Sequence, residues 1–208
     1  MNSRIITFSG VHGVGKSTII KNLHAYMNFE EGVERPKNYF KTPFEAMLFF
    51  IAAFSNRDRN LKNRKNITYV LDRYSFLDIK VYLDALKELS YLNNEEYTSL
   101  VSVLNFSYSK KINPDNSFLL DDKPENILHR IEKFREPSKH HIFERDIRFI
   151  KVLREKFIEN YHDLKDKSIQ RFHIISVDFR DPSIIAKEVY LIINGNISSE
   201  KLKEYRHG

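Results

Sequence analysis

The chain has 208 residues, 34 Lys and Arg against 28 Asp and Glu, a net charge of +6 and no cysteine. This length suits one domain with a substantial core, and the lack of cysteine excludes a disulfide framework, a thiolate metal centre and a cysteine nucleophile. The modest positive excess suits the handling of anionic small molecules, falls short of a dedicated nucleic-acid binder, and accompanies no apolar run of membrane-spanning length.

Met1-Asn2-Ser3-Arg4 leads directly into an apolar run without the cationic and apolar regions of a secretory leader, so a cytoplasmic location with no membrane partner is expected. Arg4 to Ser9 is mostly apolar, as a central parallel strand covered on both faces requires. Gly10-Val11-His12-Gly13-Val14-Gly15-Lys16-Ser17 follows, with Ser17 and then Thr18 opening a helix that the spacing carries to about Met27. The G-x-x-x-x-G-K-[ST] spacing is that of a phosphate-binding loop. Its glycines let backbone N–H groups converge on a polyphosphate, its lysine reaches the β- and γ-phosphates, and its serine ligands Mg²⁺. A plain glycine-rich turn does not explain Lys16 at a helix N-terminus, where a cation opposes the dipole unless an anion is bound.

Further along, Gly32 to Pro36 reads as a short second strand with Glu34 and Arg35 at its carboxyl edge. Phe44 to Phe54 is apolar nearly all round and reads as a buried helix continuing through Ser55, Asn56 and Arg57. Ile67 to Leu71 is a third strand ending in Asp72-Arg73, and Ser75 to Leu89 returns to helical spacing. A helix around Glu95 to Leu104, a strand from Ser117 to Asp121 and a helix from Pro124 to about Phe134 come next. A polar loop at 135–142 containing Pro137, His140 and His141 precedes a long helix from about Phe143 to Leu164. The two histidines read as solvated, since no carboxylate spacing beside them makes a metal site. A strand from Arg171 to Asp178, a helix capped by Asp181 with Pro182 at its first position, and a short tail helix from Ser198 to Tyr205 complete the chain. Alternating strands and helices predict a single α/β domain over 1–208, with a parallel sheet between two helical layers.

Four features in order resemble the thymidylate kinases, within the wider P-loop nucleoside monophosphate kinase fold. They are the phosphate loop, Glu34-Arg35, Asp72-Arg73-Tyr74-Ser75-Phe76, and an arginine-bearing lid before a long helix. The resemblance spans nearly the whole chain and implies a three-layer α/β/α P-loop NTPase fold with a five-stranded parallel sheet in the order 2-3-1-4-5 and a short lid at 135–142. It implies ATP- and Mg²⁺-dependent phosphoryl transfer to a nucleoside monophosphate, dTMP to dTDP first, with nucleotides as partners and room for a homodimer. By resemblance the catalytic residues are Lys16, Asp72, Arg73 and Arg135, and Ser17 and Asp72 hold the metal. Residues 10–18 with Arg130, Phe179 and Arg180 bind ATP, and Glu34, Arg35, Phe50, Phe54, Asn56, Arg57 and Arg73 bind the acceptor. Transfer between two anions needs neutralising charge and in-line positioning above all, for which planar guanidinium groups are suited.

The chain departs from the pattern in placing His12 where the family carries a loop acid that contacts the sugar, Leu77-Asp78 where small residues follow the Asp-Arg-Tyr motif, and Phe179-Arg180 where adenine rests. Taken singly, Asp72-Arg73 also reads as a local ion pair, Glu34-Arg35 as an exposed edge, and Arg130 or Arg135 as a solvated helix face. A deoxynucleoside kinase is the alternative reading, with Glu34 as general base for a neutral 5′-hydroxyl. An inactive P-loop regulatory protein is the third, and it has no need of the arginines together.

Overall fold

The structure, a computed structural model, describes residues 3–32, 40–61, 67–108, 112–134, 145–167 and 171–195. The described residues form five strands and seven helices, in the order β1 (Arg4–Ser9), α1 (Lys16–Leu23), β2 (Glu30–Gly32), α2 (Pro43–Leu61), β3 (Thr68–Asp72), α3 (Ser75–Glu88), α4 (Asn94–Ser107), β4 (Asn116–Asp121), α5 (Pro124–Phe134), α6 (Ile147–Lys167), β5 (Phe172–Ser176) and α7 (Pro182–Ile193). All neighbouring strands pair in parallel, in the order β2-β3-β1-β4-β5. This is the expected sheet. β1 lies at its centre because its residues from Ile6 onward are buried, so strands and helices can cover it on every side.

The register brings the functional ends together. Phe8 stands beside Asp72 of β3 and beside Phe118 of β4, so the chain leaves β1, β3 and β4 at one edge of the sheet. Ligand clefts form at such a carboxyl edge, where the connections from neighbouring strands diverge. Phe8 and Phe118 stack at 5.4 Å in the core, α1 packs against α7, and α3 packs against α6.

Local chemistry sets the helix starts. Thr42 Oγ1 accepts from the Glu45 N–H at 3.2 Å, satisfying a donor that the first turn of α2 leaves open, while the Glu45 carboxylate accepts from the N–H of Lys41, just ahead of the cap, at 3.0 Å. Asn93 and Glu96 form a reciprocal capping box at α4, and Asp181 caps α7 with Pro182 in its first turn, as the spacing predicts.

Several boundaries differ from the sequence reading. α1 ends at Leu23 rather than Met27, with turns over 24–26. β2 spans Glu30–Gly32, beginning two residues before the expected strand, whose residues 33–36 lie outside the described ones; as the edge strand, paired with β3, it needs no run of apolar residues. β5 stops at Ser176, and Asp178 and Phe179 turn with φ of 31° and 57°. α2 is not buried all round: Met47, Ile51 and Phe54 face the core, whereas Leu48 is 42% exposed. The predicted lid at 135–142, Glu34, Arg35, and the predicted tail helix lie outside the described residues. No described helix is long and apolar enough to cross a membrane.

Candidate active site

The loop between β1 and α1 is shaped by contacts that only a bare backbone permits. A Cβ on Gly10 would lie 2.5 Å from the Leu120 carbonyl oxygen, and one on Gly13 would lie 2.6 Å from Ile131 Cγ1, with φ of 133° and 79° respectively. The loop is therefore seated directly on β4 and α5. Gly15 is the N-cap of α1, and its carbonyl accepts the N–H groups of Thr18 and Ile19. Val11 and Val14 are buried in the core, which pins the loop from beneath.

Lys16 is buried, and its ammonium donates to the carbonyls of Gly10 at 2.8 Å and Val11 at 3.0 Å. These carbonyls hold a cation at a helix N-terminus, a position that favours anions. Ser17 Oγ donates to Asp72 Oδ2 at 3.2 Å, which joins the start of α1 to the end of β3. Among the described residues, the buried Asp72 Oδ1 has no hydrogen-bond partner. A serine hydroxyl beside a carboxylate with an unused, desolvated oxygen is a donor set suited to a hard divalent cation. Thr18 is exposed.

Across the cleft, Arg73 adopts φ of 93°, a left-handed conformation costing on the order of 1–3 kcal/mol for a side-chain-bearing residue. Its N–H donates to the Phe8 carbonyl at 2.8 Å. Its own carbonyl accepts from Arg57 Nη2 at 3.1 Å; the same guanidinium donates to the carbonyls of Asp72 at 3.1 Å and Gly32 at 3.3 Å, to Asp58 at 3.0 Å and to Ser75 Oγ. Arg57 therefore braces the turn that carries Arg73. It is buried, with its guanidinium over the Phe54 ring at 5.0 Å, whereas the neighbouring Asn56 lies on the exposed face of α2.

Those aromatics do converge. Phe50 and Phe54 stack at 5.8 Å, and with Met47, Arg73, Asp78, Ile79 and Tyr82 they line a small cleft of about 50 Å³. Arg73 Nη1 meets Asp78 Oδ2 at 3.3 Å, Arg73 Nη2 donates to Tyr82 Oη at 3.3 Å, and the guanidinium lies over the Tyr82 ring at 5.1 Å. Asp78 Oδ1 accepts from Ser9 Oγ at 2.5 Å. Burial pushes the Asp78 carboxyl up to about 6, against the pull of Arg73, Ser9 and Lys16. Burial also opposes the charge on Arg73, but Tyr82, Asp78 and Asp72 more than offset it and leave that group above its ordinary range. His12, buried in the phosphate loop, stacks on Phe149 at 6.0 Å and brings Nδ1 to 3.3 Å from Tyr82 Oη. A hydrogen-bonded chain thus runs from His12 through Tyr82, Arg73 and Asp78 to Ser9.

On the other side of the loop, Arg130 Nε donates to the Gly13 carbonyl at 3.2 Å, Nη2 meets Asp122 Oδ2 at 2.6 Å, and the guanidinium lies 5.9 Å from the ring centre of Phe179. Phe179 is 66% exposed, an open aromatic face beside the loop. Arg180 is turned away into a pair with Glu188 and a bond to the Ser176 carbonyl at 2.9 Å. Arg135 lies outside the described residues. Sequence reasoning missed Tyr82, Met47, Ile79 and Asp122. Helical spacing from Asp78 identifies Tyr82, four residues on and therefore on the same face of α3.

No protein-family model and no curated protein matches this sequence. Solved structures do resemble it over nearly its whole length. The deoxyadenosine kinase from M. mycoides with bound dATP is 20% identical, with 91% of this chain and 99% of that chain covered and a TM-score of 0.75. The same kinase with the products dCMP and dCDP is 18% identical, with 92% and 99% covered and a TM-score of 0.72. The thymidylate kinase from Candida albicans is 18% identical, with 94% and 92% covered and a TM-score of 0.67. Likeness at this level establishes a shared fold, five parallel strands in the order β2-β3-β1-β4-β5 with their connecting helices.

Proposed function

We propose that this chain transfers the γ-phosphoryl group of ATP to the 5′ end of a deoxynucleoside or deoxynucleoside monophosphate. The observation that carries this reading is the opposition of two half-sites at one sheet edge. One is a phosphate loop with Lys16 at a helix N-terminus, and the other is an aromatic cleft with a guanidinium at its mouth. Lys16 leaves its two loop carbonyls for the β- and γ-phosphates, and Phe50 or Phe54 stacks on the acceptor's base. Ser17 and Asp72 are the residues that would hold Mg²⁺, which supplies charge neutralisation at the phosphates when bound. Arg130 and Phe179 flank the donor, and Glu34, Arg35 and Arg135 complete the charge around the reacting groups.

Of the two acceptors, the neutral nucleoside is favoured by Asp78. Its buried carboxylate already compensates Arg73 and places negative charge where a dianionic phosphate would sit. Glu34 then takes the proton of the 5′-hydroxyl as general base. The monophosphate reading, dTMP to dTDP, keeps its support from Arg73 itself, a planar fork suited to a phosphate. Assaying ADP release with ATP and Mg²⁺ against deoxyadenosine, deoxycytidine, thymidine and their monophosphates decides it. Faster turnover of a nucleoside than of its monophosphate is expected, and the reverse order returns the assignment to a monophosphate kinase. No ADP release with any of them removes the kinase reading.

A further inference from the structure

Asp122 follows β4 directly and precedes α5, and its two carboxylate oxygens have separate tasks. Oδ1 accepts from the Lys123 N–H at 2.7 Å and from Asn126 Nδ2 at 2.8 Å, which secures the entry to α5. Oδ2 meets Arg130 Nη2 at 2.6 Å, and the Asp122 side chain is fully buried. The second task is not explained by helix entry. Arg130 spans one end of α5 to the phosphate loop, with Nε on the Gly13 carbonyl, and Gly13 itself is packed against Ile131 and Ile127 of the same helix. A trans peptide couples the direction of the Gly13 carbonyl to that of the Val14 N–H, so the bond from Arg130 fixes the plane of a loop peptide. Among the described residues, Nη1 of Arg130 has no hydrogen-bond partner, so one edge of a charged, anchored guanidinium is left over beside the loop.

We propose that Asp122 is a positioning residue for the nucleoside triphosphate: by holding Arg130 on the Gly13 carbonyl it locks the phosphate loop to α5 and reserves Nη1 of Arg130 for the polyphosphate. The inference rests on the ATP reading of the loop given above. A flexible arginine spends rotamer entropy on each phosphate contact, whereas one anchored through Nε and Nη2 has lost that entropy on folding. Preorganisation of this kind acts on donor affinity and leaves the acceptor cleft, on the other side of Lys16, untouched.

The test is an equilibrium titration of the full chain with ATP and Mg²⁺, without acceptor, for the wild type, Asp122→Asn, Arg130→Gln and the double variant. Asp122→Asn retains an oxygen for the Lys123 N–H and turns an amide NH₂ toward Arg130, so the helix entry survives and the clamp does not. Each single variant is expected to weaken ATP about tenfold, the scale of one charge-assisted hydrogen bond, and the double variant no more than the worse single one. The acceptor's KM should stay within about twofold in each. Unchanged ATP affinity in Asp122→Asn, or losses that multiply in the double variant, overturns the positioning role. Should Asp122→Asn fail to fold, Arg130→Gln still decides, because it leaves the Asp122 cap intact and unaltered ATP affinity there overturns the proposal equally. Failure of the wild type to bind ATP is a different result, and it removes the donor reading itself.

Discussion

The two halves of the cleft are built on different principles. On the proposed donor side the loop is shaped by backbone: Gly10 and Gly13 lie where a Cβ would strike Leu120 or Ile131, and Lys16 is held by main-chain carbonyls. On the proposed acceptor side the cleft is made of side chains, with Arg73, Asp78, Tyr82 and the Phe50–Phe54 pair meeting from α2, the end of β3 and α3. A backbone cradle binds what all nucleoside triphosphates share, a polyphosphate. A side-chain cleft can be changed residue by residue, and specificity therefore resides there.

The largest effect that tests this division is expected from Lys16→Ala, which should lower turnover on the order of a thousandfold or more while thermal unfolding stays close to wild type. Near-normal turnover would separate the loop from the chemistry. Arg73→Ala should cost the acceptor about 2–5 kcal/mol in kcat/KM, with lysine restoring only part and with the KM for ATP hardly moved. Equal losses for ATP and acceptor would erase the boundary between the two halves.

Asp78→Asn sharpens the comparison through pH. Because the folded carboxyl is raised from 3.8 to about 6, the native state holds a proton that the unfolded chain has released between those values. Wild-type stability therefore falls as pH rises through that window and levels off above it, by on the order of 3 kcal/mol from this group. The variant lacks that slope, so its Tm relative to wild type should climb between about pH 4 and 6. A constant difference would mean that Asp78 is hydrated. The smallest effect belongs to Gly13→Ala, where strain at φ of 79° and the clash with Ile131 should cost about 1–3 kcal/mol in urea unfolding. An unchanged midpoint would show that loop and helix are not packed as one.

The shape of the proposed donor half was legible in the sequence because its determinants are contiguous: glycines at fixed spacing, then Lys16-Ser17, between an apolar run and a helix. β1, β3 and β4 were legible for a similar reason, since a strand buried on both faces is mostly apolar and does not alternate. The start of β2 was missed by two residues because Glu30 and Glu31, on an exposed edge, carry no such signature. Arg57 was assigned to the acceptor site by resemblance, as part of an Asn-Arg pair, and its bracing of the Arg73 turn was not legible. The carbonyls it bonds, those of Gly32, Asp72 and Arg73, are 15 to 25 residues away in sequence and become neighbours only when β2 pairs with β3. Asp122 was passed over because its partner lies eight residues on, beyond the reach of any single helical turn.

The chain of hydrogen bonds from His12 to Ser9 begins and ends on the same stretch of polypeptide, the strand and loop that cradle the donor. An acceptor that turns Tyr82 or draws Arg73 away from Asp78 therefore reaches into the phosphate loop without touching it. The two ligands are then thermodynamically linked. By whatever factor an occupied cleft changes the affinity for ATP, bound ATP changes the affinity for the acceptor by the same factor. Replacing Tyr82 with phenylalanine, which keeps the ring and removes the hydroxyl that joins Arg73 to His12, should bring that shared factor toward one.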